Sequence, residues 1–321
     1  MPKIAVLDDY QHIALTMADW TALGSSAEVT VFNDHEADES ALARRLADFD
    51  VICVMRERTP MPRTLLERLP NLRLLVTTGA RNASIDMEAA TEKGITVCHT
   101  RGKMHPTPEL TWGLILALAR HIPFEHGQMQ KGKWQTTVGR TLNGSTLGLL
   151  GLGRLGSQVA DYGKAFGMNL IAWSQNLTEE RAAEQGAKRV EKDELFSQAD
   201  FISIHLVLSE RTRALVGKHE LGLMRPTAYL VNTSRGPIVD EDALVAALQE
   251  KVIAGAGLDT YGTEPLPADH PLRSLDNVVL TPHLGYVTED TMEVFYKDTV
   301  ENIKAWMDGR PVRVLNPETL K

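Results

Sequence analysis

The stretch 145–166, STLGLLGLGRLGSQVADYGKAF, decides the fold. An apolar run at 146–150 leads into glycines at 151, 153 and 156, then into a helical pattern whose stripe is Leu155, Val159, Tyr162 and Phe166. Strand, glycine turn and helix in this order form the opening unit of a dinucleotide-binding sheet. Gly151 permits the tight turn, Gly153 lets a pyrophosphate approach the backbone, and Gly156 allows close helix–strand packing. Free N–H groups at the helix start attract phosphate, and Arg154 adds charge beside Leu155 in the same turn. A glycine turn without a ligand is the alternative; the flanking strand and helix weigh against it.

Some twenty residues on, the next strand ends in IAWSQN. Ser174 and Gln175 stand where an acid usually meets the adenosine ribose. Without that carboxylate nothing repels a 2′-phosphate, yet no Arg follows at once, so NAD and NADP both remain open.

The same alternation of short apolar runs and helical patterns extends in both directions. Strands are expected at 3–7, 29–32, 51–55, 72–77 and 96–98, and again at 146–150, 170–173, 201–205, 228–232, 256–259 and 278–281. Amphipathic helices are expected at 39–49, 63–69 and 86–93, the last stopped by Gly94. After His99 a Gly- and Pro-containing stretch leads into a helix over 109–120, apolar on most sides and therefore buried. A final helix over 289–307 and the tail 312–317 have no strand series left to complete, so they are expected to pack back on the first half. With 321 residues the chain exceeds one core of ~250–300 residues and should form two α/β domains, the second doubly wound.

Composition excludes more than it selects. Hydrophobic residues at 43% and charged ones at 24% are ordinary for a globular protein. A net charge of −8 argues against nucleic acid as a partner. No apolar stretch approaches the ~20 residues that span a bilayer, so no membrane partner is expected. Cys53 and Cys98 both lie in apolar strand-like runs, which suits buried thiols in a reducing compartment; the expected location is the cytoplasm.

In open α/β sheets ligands lie beyond the carboxyl ends of the strands. There AYLVN runs into TSRGPIVDEDAL and places Arg235 before a helix capped by Asp240. Its guanidinium can clamp a carboxylate in bidentate fashion or form a structural salt bridge. The segment AGAGLDTYGTEPLP ends a strand at Asp259 and carries Glu264 in a loop set by Gly262 and Pro265. NVVLTPHLGY delivers His283 just past a strand end, between Pro282 and Gly285. A carboxylate beside an imidazole keeps a proton available near neutrality. A lone loop Glu is usually solvated and a lone His usually not catalytic; the combination with Arg235 shifts that weighting. His205 ends a strand over the cofactor face or serves the structure, and His12, His35, His121, His126, His219 and His270 read as loop or surface residues.

These residues make the chain recognisable. It resembles the D-isomer-specific 2-hydroxyacid dehydrogenase family, which includes phosphoglycerate dehydrogenases and glyoxylate/hydroxypyruvate reductases. The resemblance runs through TTGARNASIDMEAATEKGITVCHT, GLGRLG, HLVLSERTRALV, NTSRGPIVDEDALVAAL, GLDTYGTEPL and TPHLGY. It implies a Rossmann dinucleotide-binding domain, 102–284, inserted in a flavodoxin-like substrate domain, 1–101 with 285–321, both doubly wound parallel-sheet α/β units. It implies catalytic roles for Arg235, Glu264 and His283. Cofactor contacts fall on Thr78, Gly151, Gly153, Arg154, Leu155, Gly156, Ser174, Gln175, His205, Leu206, Thr212, Thr233, Ser234, Arg235, Asp259, His283 and Gly285. Substrate contacts fall on Arg56, Gly79, Ala80, Arg235 and His283, with Thr59 nearby.

The implied reaction reduces a small 2-oxo acid to the D-2-hydroxy acid, or the reverse, with NAD or NADP and no metal, in a homodimer. Two alternatives stand beside it: a non-enzymatic dinucleotide-sensing protein on the same fold, and a formate- or phosphite-type dehydrogenase. The resemblance leads one to expect Gln in place of Glu264 in the formate case. Val207 occupies a position that is often Pro.

Overall fold

The computed structural model describes residues 1–25 and 27–320. The chain begins β1 (Lys3–Val6), β2 (Glu28–Val31), α1 (Glu39–Leu46), β3 (Val51–Val54), α2 (Arg63–Leu66), β4 (Leu74–Thr77), α3 (Met87–Glu92) and β5 (Thr96–His99). Next come α4 (Pro106–Ala119), α5 (Ile122–Gln130), β6 (Thr146–Leu150), α6 (Arg154–Ala165), β7 (Asn169–Trp173), α7 (Glu179–Glu184), β8 (Lys188–Arg189), α8 (Lys192–Gln198) and β9 (Phe201–Ile204). The remainder is α9 (Lys218–Leu223), β10 (Tyr229–Asn232), α10 (Glu241–Gln249), β11 (Gly255–Leu258), β12 (Val278–Leu280) and α11 (Glu289–Met307). Two compact units result, Met1–Lys103 with Thr288–Lys321, and Met104–Val287. Among the described residues no helix is long and apolar enough to cross a membrane.

The first unit holds a five-stranded sheet in the order β2-β1-β3-β4-β5, all pairs parallel, which is the flavodoxin-like order. Strands β3 and β4 are buried along their whole length, because helices cover both faces, and their sequences VICV and LLVT are accordingly almost unbroken apolar runs. Edge strand β2 is half exposed and carries Glu28 and Thr30. Leu42, Leu46, Leu65, Leu66, Ala89 and Ala90 pack on Ile52, Val54, Leu75 and Val97. Each fully buried Leu or Ile there contributes about 1.5–3 kcal/mol. Asp38 and Asp86 cap α1 and α3 by accepting from Ala41 N and Ala89 N, and Gly94, at φ +69°, ends α3.

Helix α11 and the tail belong to this unit. Asp298, buried in α11, accepts from the Arg101 backbone and guanidinium, and the Asn302 amide donates to His99 O. The tail does more than pack: Val314 forms an antiparallel bridge with Cys98, His99 N donates to Arg313 O, and Leu315 N donates to Val97 O.

The second unit holds seven parallel strands in the order β12-β11-β10-β9-β6-β7-β8. The chain enters at β6, builds outward through β7 and β8, then returns to the other side through β9. The order therefore reverses beside β6, at the switch point where such sheets bind ligands. Three local differences from the sequence expectation have physical causes. Helix α4 starts at Pro106, since proline without its N–H fits a first helical turn. Helix α5 buries no residue and so leaves no amphipathic signature. The buried face of α6 is Gly156, Val159, Ala160 and Gly163; of the expected stripe Val159 is buried, Leu155 and Tyr162 are half-buried and Phe166 is exposed. Small residues let α6 approach the sheet: a Cβ at Gly163 would lie 2.9 Å from Leu170 Cδ2 and 3.1 Å from Leu147 Cδ2. Phe166 stays 40% exposed, with its ring stacked 4.7 Å from Trp112.

Candidate active site

The glycine loop joins β6 to α6, and each glycine there has its own cause. Gly151 sits at φ +103°, donates its N–H to Trp173 O at 2.8 Å, and would drive a Cβ within 2.9 Å of the His205 backbone. Gly153 is the N-cap of α6, makes no side-chain cap, and a Cβ built on it meets nothing within 4 Å. Gly156 touches the loop itself, since its Cβ would fall 2.2 Å from Gly151 O. Open space in front of Gly153, facing uncapped amides at the start of a twelve-residue helix, fits a pyrophosphate. Arg154 is exposed beside it, and Leu155 is half-buried. At the end of β7, Ser174 is half-buried and accepts Leu177 N through its carbonyl, while Gln175 is exposed. Arg181 is exposed on α7, and the Arg189 side chain turns instead to Leu177 O and Glu191.

Across the switch point, His205 places its Nε2 2.8 Å from Ser203 Oγ, and burial pushes its pKa down to about 4. It is neutral at ordinary pH. Leu206 O accepts from Ser234 Oγ. Thr212 Oγ1 donates to Val207 O at 2.7 Å and accepts Ser209 N at 2.8 Å, closing the loop around exposed Val207. Thr233 is buried with its hydroxyl 2.7 Å from that of Thr111. Because the Thr111 hydroxyl donates to Thr107 O, Thr233 is the donor of that pair.

Arg235 follows β10 in a turn that Asn232 ties off. The Asn232 amide donates to Arg235 O and its carbonyl accepts Ser234 N, both at 3.0 Å, and Arg235 Nη1 donates to Ser234 O at 2.7 Å. Asp240 caps α10 through Ala243 N. Asp259, at the end of β11, is fully buried and accepts from Thr281 Oγ1 (2.6 Å), Leu284 N (2.7 Å) and Gly285 N (2.8 Å). Burial raises its carboxyl pKa, against the pull of these donors and of His283. Asp259 is thus the support of the turn in which His283 adopts φ +53°. At Gly285 a Cβ would come within 3.1 Å of Asp259 Oδ2.

Glu264 completes the group. Its Oε2 lies 2.6 Å from His283 Nδ1, and its Oε1 accepts Tyr261 N at 2.9 Å. A carboxylate partner places the proton on Nδ1, which leaves Nε2 as the nitrogen that can give or take one. The Tyr286 ring stands edge-on to the imidazole at 5.5 Å. Arg235 lies two strands from His283 along the same sheet edge, about 10 Å at ordinary strand spacing.

In the first unit the structure gathers Arg56, Thr78 and Gly79. Arg56, at φ +53°, donates its N–H to Thr78 Oγ1 at 2.9 Å. Its guanidinium lies against Gly79, where a Cβ would fall 2.0 Å from Nη1. The Gly79 amide is occupied, donating to Thr100 Oγ1 at 2.8 Å, and Ala80 is exposed next to it. Thr59 is buried and spends its hydroxyl on Asp8 Oδ2 at 2.7 Å, so it faces the interior. His35 lies in a loop, as expected, but is half-buried with its Nδ1 2.9 Å from buried Asp8. His270 likewise sits 3.3 Å from Glu241 with its side chain mostly covered. Sequence reasoning passed over Asn82, Thr100, Thr107 and Asn232, which tie the site loops together and carry no motif of their own.

A glycine cradle at the switch point of a Rossmann sheet, with a carboxylate-held imidazole on the same strand-end edge, defines the class: a nicotinamide-dependent oxidoreductase. Residues 112–285 match the family described as D-isomer specific 2-hydroxyacid dehydrogenase, NAD binding domain. The chain is 42% identical over 268 residues to a glyoxylate reductase of Aeropyrum pernix, covering 80% of each. It is 38% identical over 313 residues to a D-3-phosphoglycerate dehydrogenase of Methanocaldococcus jannaschii, covering 96% of this chain but only 58% of that one. The structure of a phosphoglycerate oxidoreductase from Vibrio cholerae superimposes with a TM-score of 0.91 at 39% identity, over 96% of this chain and 99% of the other. The chain belongs to the D-isomer-specific 2-hydroxyacid dehydrogenase family, and it is an oxidoreductase of that class.

Proposed function

We propose that this protein reduces a small 2-oxo acid to the D-2-hydroxy acid, or runs the reverse, and that Arg235, Glu264 and His283 carry the chemistry. The observation that bears most weight is the 2.6 Å contact of Glu264 with His283 Nδ1, which fixes the ring and leaves Nε2 as the nitrogen able to exchange a proton. When bound, the nicotinamide dinucleotide supplies the hydride that reaches C2. Arg235 stabilises the negative charge growing on the ketone oxygen, and His283 Nε2 delivers the proton to it. Arg56, lying over Gly79 beside Ala80, takes the substrate carboxylate, and holding the acid in place supplies much of the rate.

Gly151, Gly153, Arg154, Leu155 and Gly156 hold the pyrophosphate, and Ser174 and Gln175 meet the adenosine ribose. Because no acid stands at 174 or 175, NAD and NADP are both accommodated. His205, Leu206, Thr212, Thr233, Ser234, Asp259 and Gly285 wall the dinucleotide, with Asp259 acting through the turn it supports and Thr78 acting through Arg56.

Glyoxylate, hydroxypyruvate and a phosphorylated 2-oxo acid are the candidate substrates, because relatives bearing all three names are similar to this chain. A homodimer is proposed as well. Ile122, Phe124, Met129, Trp134 and Val138 are exposed along one segment of the second unit, beside a cavity of about 450 Å³ lined by Leu118, Phe124, Tyr229, Val278 and Val279. Such a patch calls for a partner, and Trp134→Asp should yield monomers in light scattering. Free, buried Cys53 and Cys98, the latter with its thiol pushed up to about 12 by burial, support residence in the reducing cytoplasm. The net charge of −8 supports neither nucleic acid nor an anionic membrane as a partner.

The test is loss of absorbance at the reduced-nicotinamide band, with NADH and NADPH in parallel against glyoxylate, hydroxypyruvate and a phosphorylated 2-oxo acid. Turnover of any one establishes the reaction, and the preferred cofactor assigns the role of Ser174. Tight dinucleotide binding without turnover on any 2-oxo acid would transfer the function to dinucleotide sensing.

A further inference from the structure

The backbone of Arg56 is held at both ends by one loop. Its N–H goes to Thr78 Oγ1 at 2.9 Å, and its carbonyl accepts Asn82 Nδ2 at 2.7 Å. Asn82, 8% exposed, makes three further bonds: Nδ2 donates to Thr77 Oγ1 at 3.0 Å, and Oδ1 accepts Ser84 N at 2.9 Å and Ser84 Oγ at 2.6 Å. One flat amide therefore gives two hydrogen bonds on one side and takes two on the other. Among similar side chains only Asn does this at this length; an ionised Asp would set a negative oxygen against the Arg56 carbonyl, which can only accept. The bonds matter because Arg56 sits at φ +53°, a region L-residues disfavour, and an unsupported Arg56 would relax toward negative φ. Relaxation would swing the guanidinium off Gly79, whose lack of a Cβ and φ of +79° leave room for it.

We infer that Asn82 is a positioning residue for substrate binding: it holds Arg56 in the strained backbone state that lays its guanidinium over Gly79, with Nε 3.5 Å from Glu57 Oε2. This rests on the proposed role of Arg56 as a carboxylate ligand. Asn82 touches no reacting atom and acts through Arg56.

The experiment is steady-state kinetics on the preferred 2-oxo acid for Asn82→Asp, Arg56→Ala and the double variant, with dinucleotide affinity measured alongside as a check on the second unit. Asn82→Asp is expected to raise KM about tenfold near pH 8, the loss of one or two hydrogen bonds, with a smaller fall in kcat. The excess KM should shrink on acidification, because a protonated Asp regains a donor. In the Arg56→Ala background the Asn82 change should add little. A wild-type KM for Asn82→Asp while Arg56→Ala raises it would overturn the inference alone, as would additive effects in the double variant. A wild-type KM for Arg56→Ala would remove the carboxylate reading and this inference with it. If Asn82→Asp does not fold, Ser84→Ala decides: it strips one donor from Oδ1 and should raise KM about twofold to threefold, and an unchanged KM rejects the proposal.

Discussion

At the strand ends of the seven-stranded sheet, glycines and backbone amides share the positioning with two carboxylates; at those of the five-stranded sheet, amide and hydroxyl side chains do it. His283 is held by a turn whose amides, Leu284 N and Gly285 N, converge on buried Asp259, and the pyrophosphate cradle is three glycines and a helix start. Arg56 is held by an amide and a hydroxyl, Asn82 and Thr78, reaching from the neighbouring loop. Backbone devices tolerate no change of residue type where a Cβ would collide. Side-chain devices can be rebuilt in many ways, and substrate preference can drift there while the chemistry stays fixed.

The sharpest way to break this contrast is at His283. His283→Ala should cut kcat by about 10²- to 10⁴-fold while dinucleotide affinity, measured by fluorescence titration, stays near that of the unaltered protein. An unaltered kcat would strip the strand-end imidazole of its role. Next in size is Gly156→Ala, whose Cβ would land 2.2 Å from Gly151 O. Forcing α6 away should cost about 1–3 kcal/mol of stability and weaken the dinucleotide about tenfold. Gly153→Ala, with nothing within 4 Å of its Cβ, should leave stability almost as it was and weaken only binding.

The smallest expected effect lies in the first unit. The hydrogen bond to Asp8, aided by nearby acids and opposed by burial, raises the His35 pKa. Its stabilising contribution is therefore complete below the unfolded value near ~6.5 and fades as pH rises through the higher folded value. Denaturant melts of His35→Asn should show a loss of about 1 kcal/mol near pH 5.5 that narrows above neutrality. A loss that grows with pH would reverse the assignment.

Legibility in the sequence follows the same divide. Gly151, Gly153 and Gly156 stand out because backbone constraints leave few residue choices, and Arg235, Glu264 and His283 because each lies in a loop that follows an apolar strand. Strand β6 and helix α11 have the expected bounds, the first because Gly151 stops it and the second because its period is long. Asn82, Thr100 and Asp8 announce nothing, since amides, hydroxyls and acids occur in every loop and only their distances reveal the network. The inward face of α6 is only partly legible for a related reason: Val159 shows in the apolar stripe, whereas close approach to a sheet selects the small residues Gly156, Ala160 and Gly163, which carry no apolar pattern. Two-residue β8 and unburied α5 are too short or too poorly patterned to register.

The return of the chain to its first unit has a consequence during synthesis. Edge strand β5 receives its last backbone partners from residues 313–316, and Asn316 bonds both Val97 N and Ile95 O. On the ribosome, that strand emerges before the whole of 104–287 is made, a delay on the order of ten seconds or more at ~5–20 residues per second. Through that interval the nascent chain carries an open strand edge, the kind of surface that recruits other chains. Chaperone dependence and inclusion-body formation should therefore track the speed of translation through the central unit more closely than the stability of the finished protein.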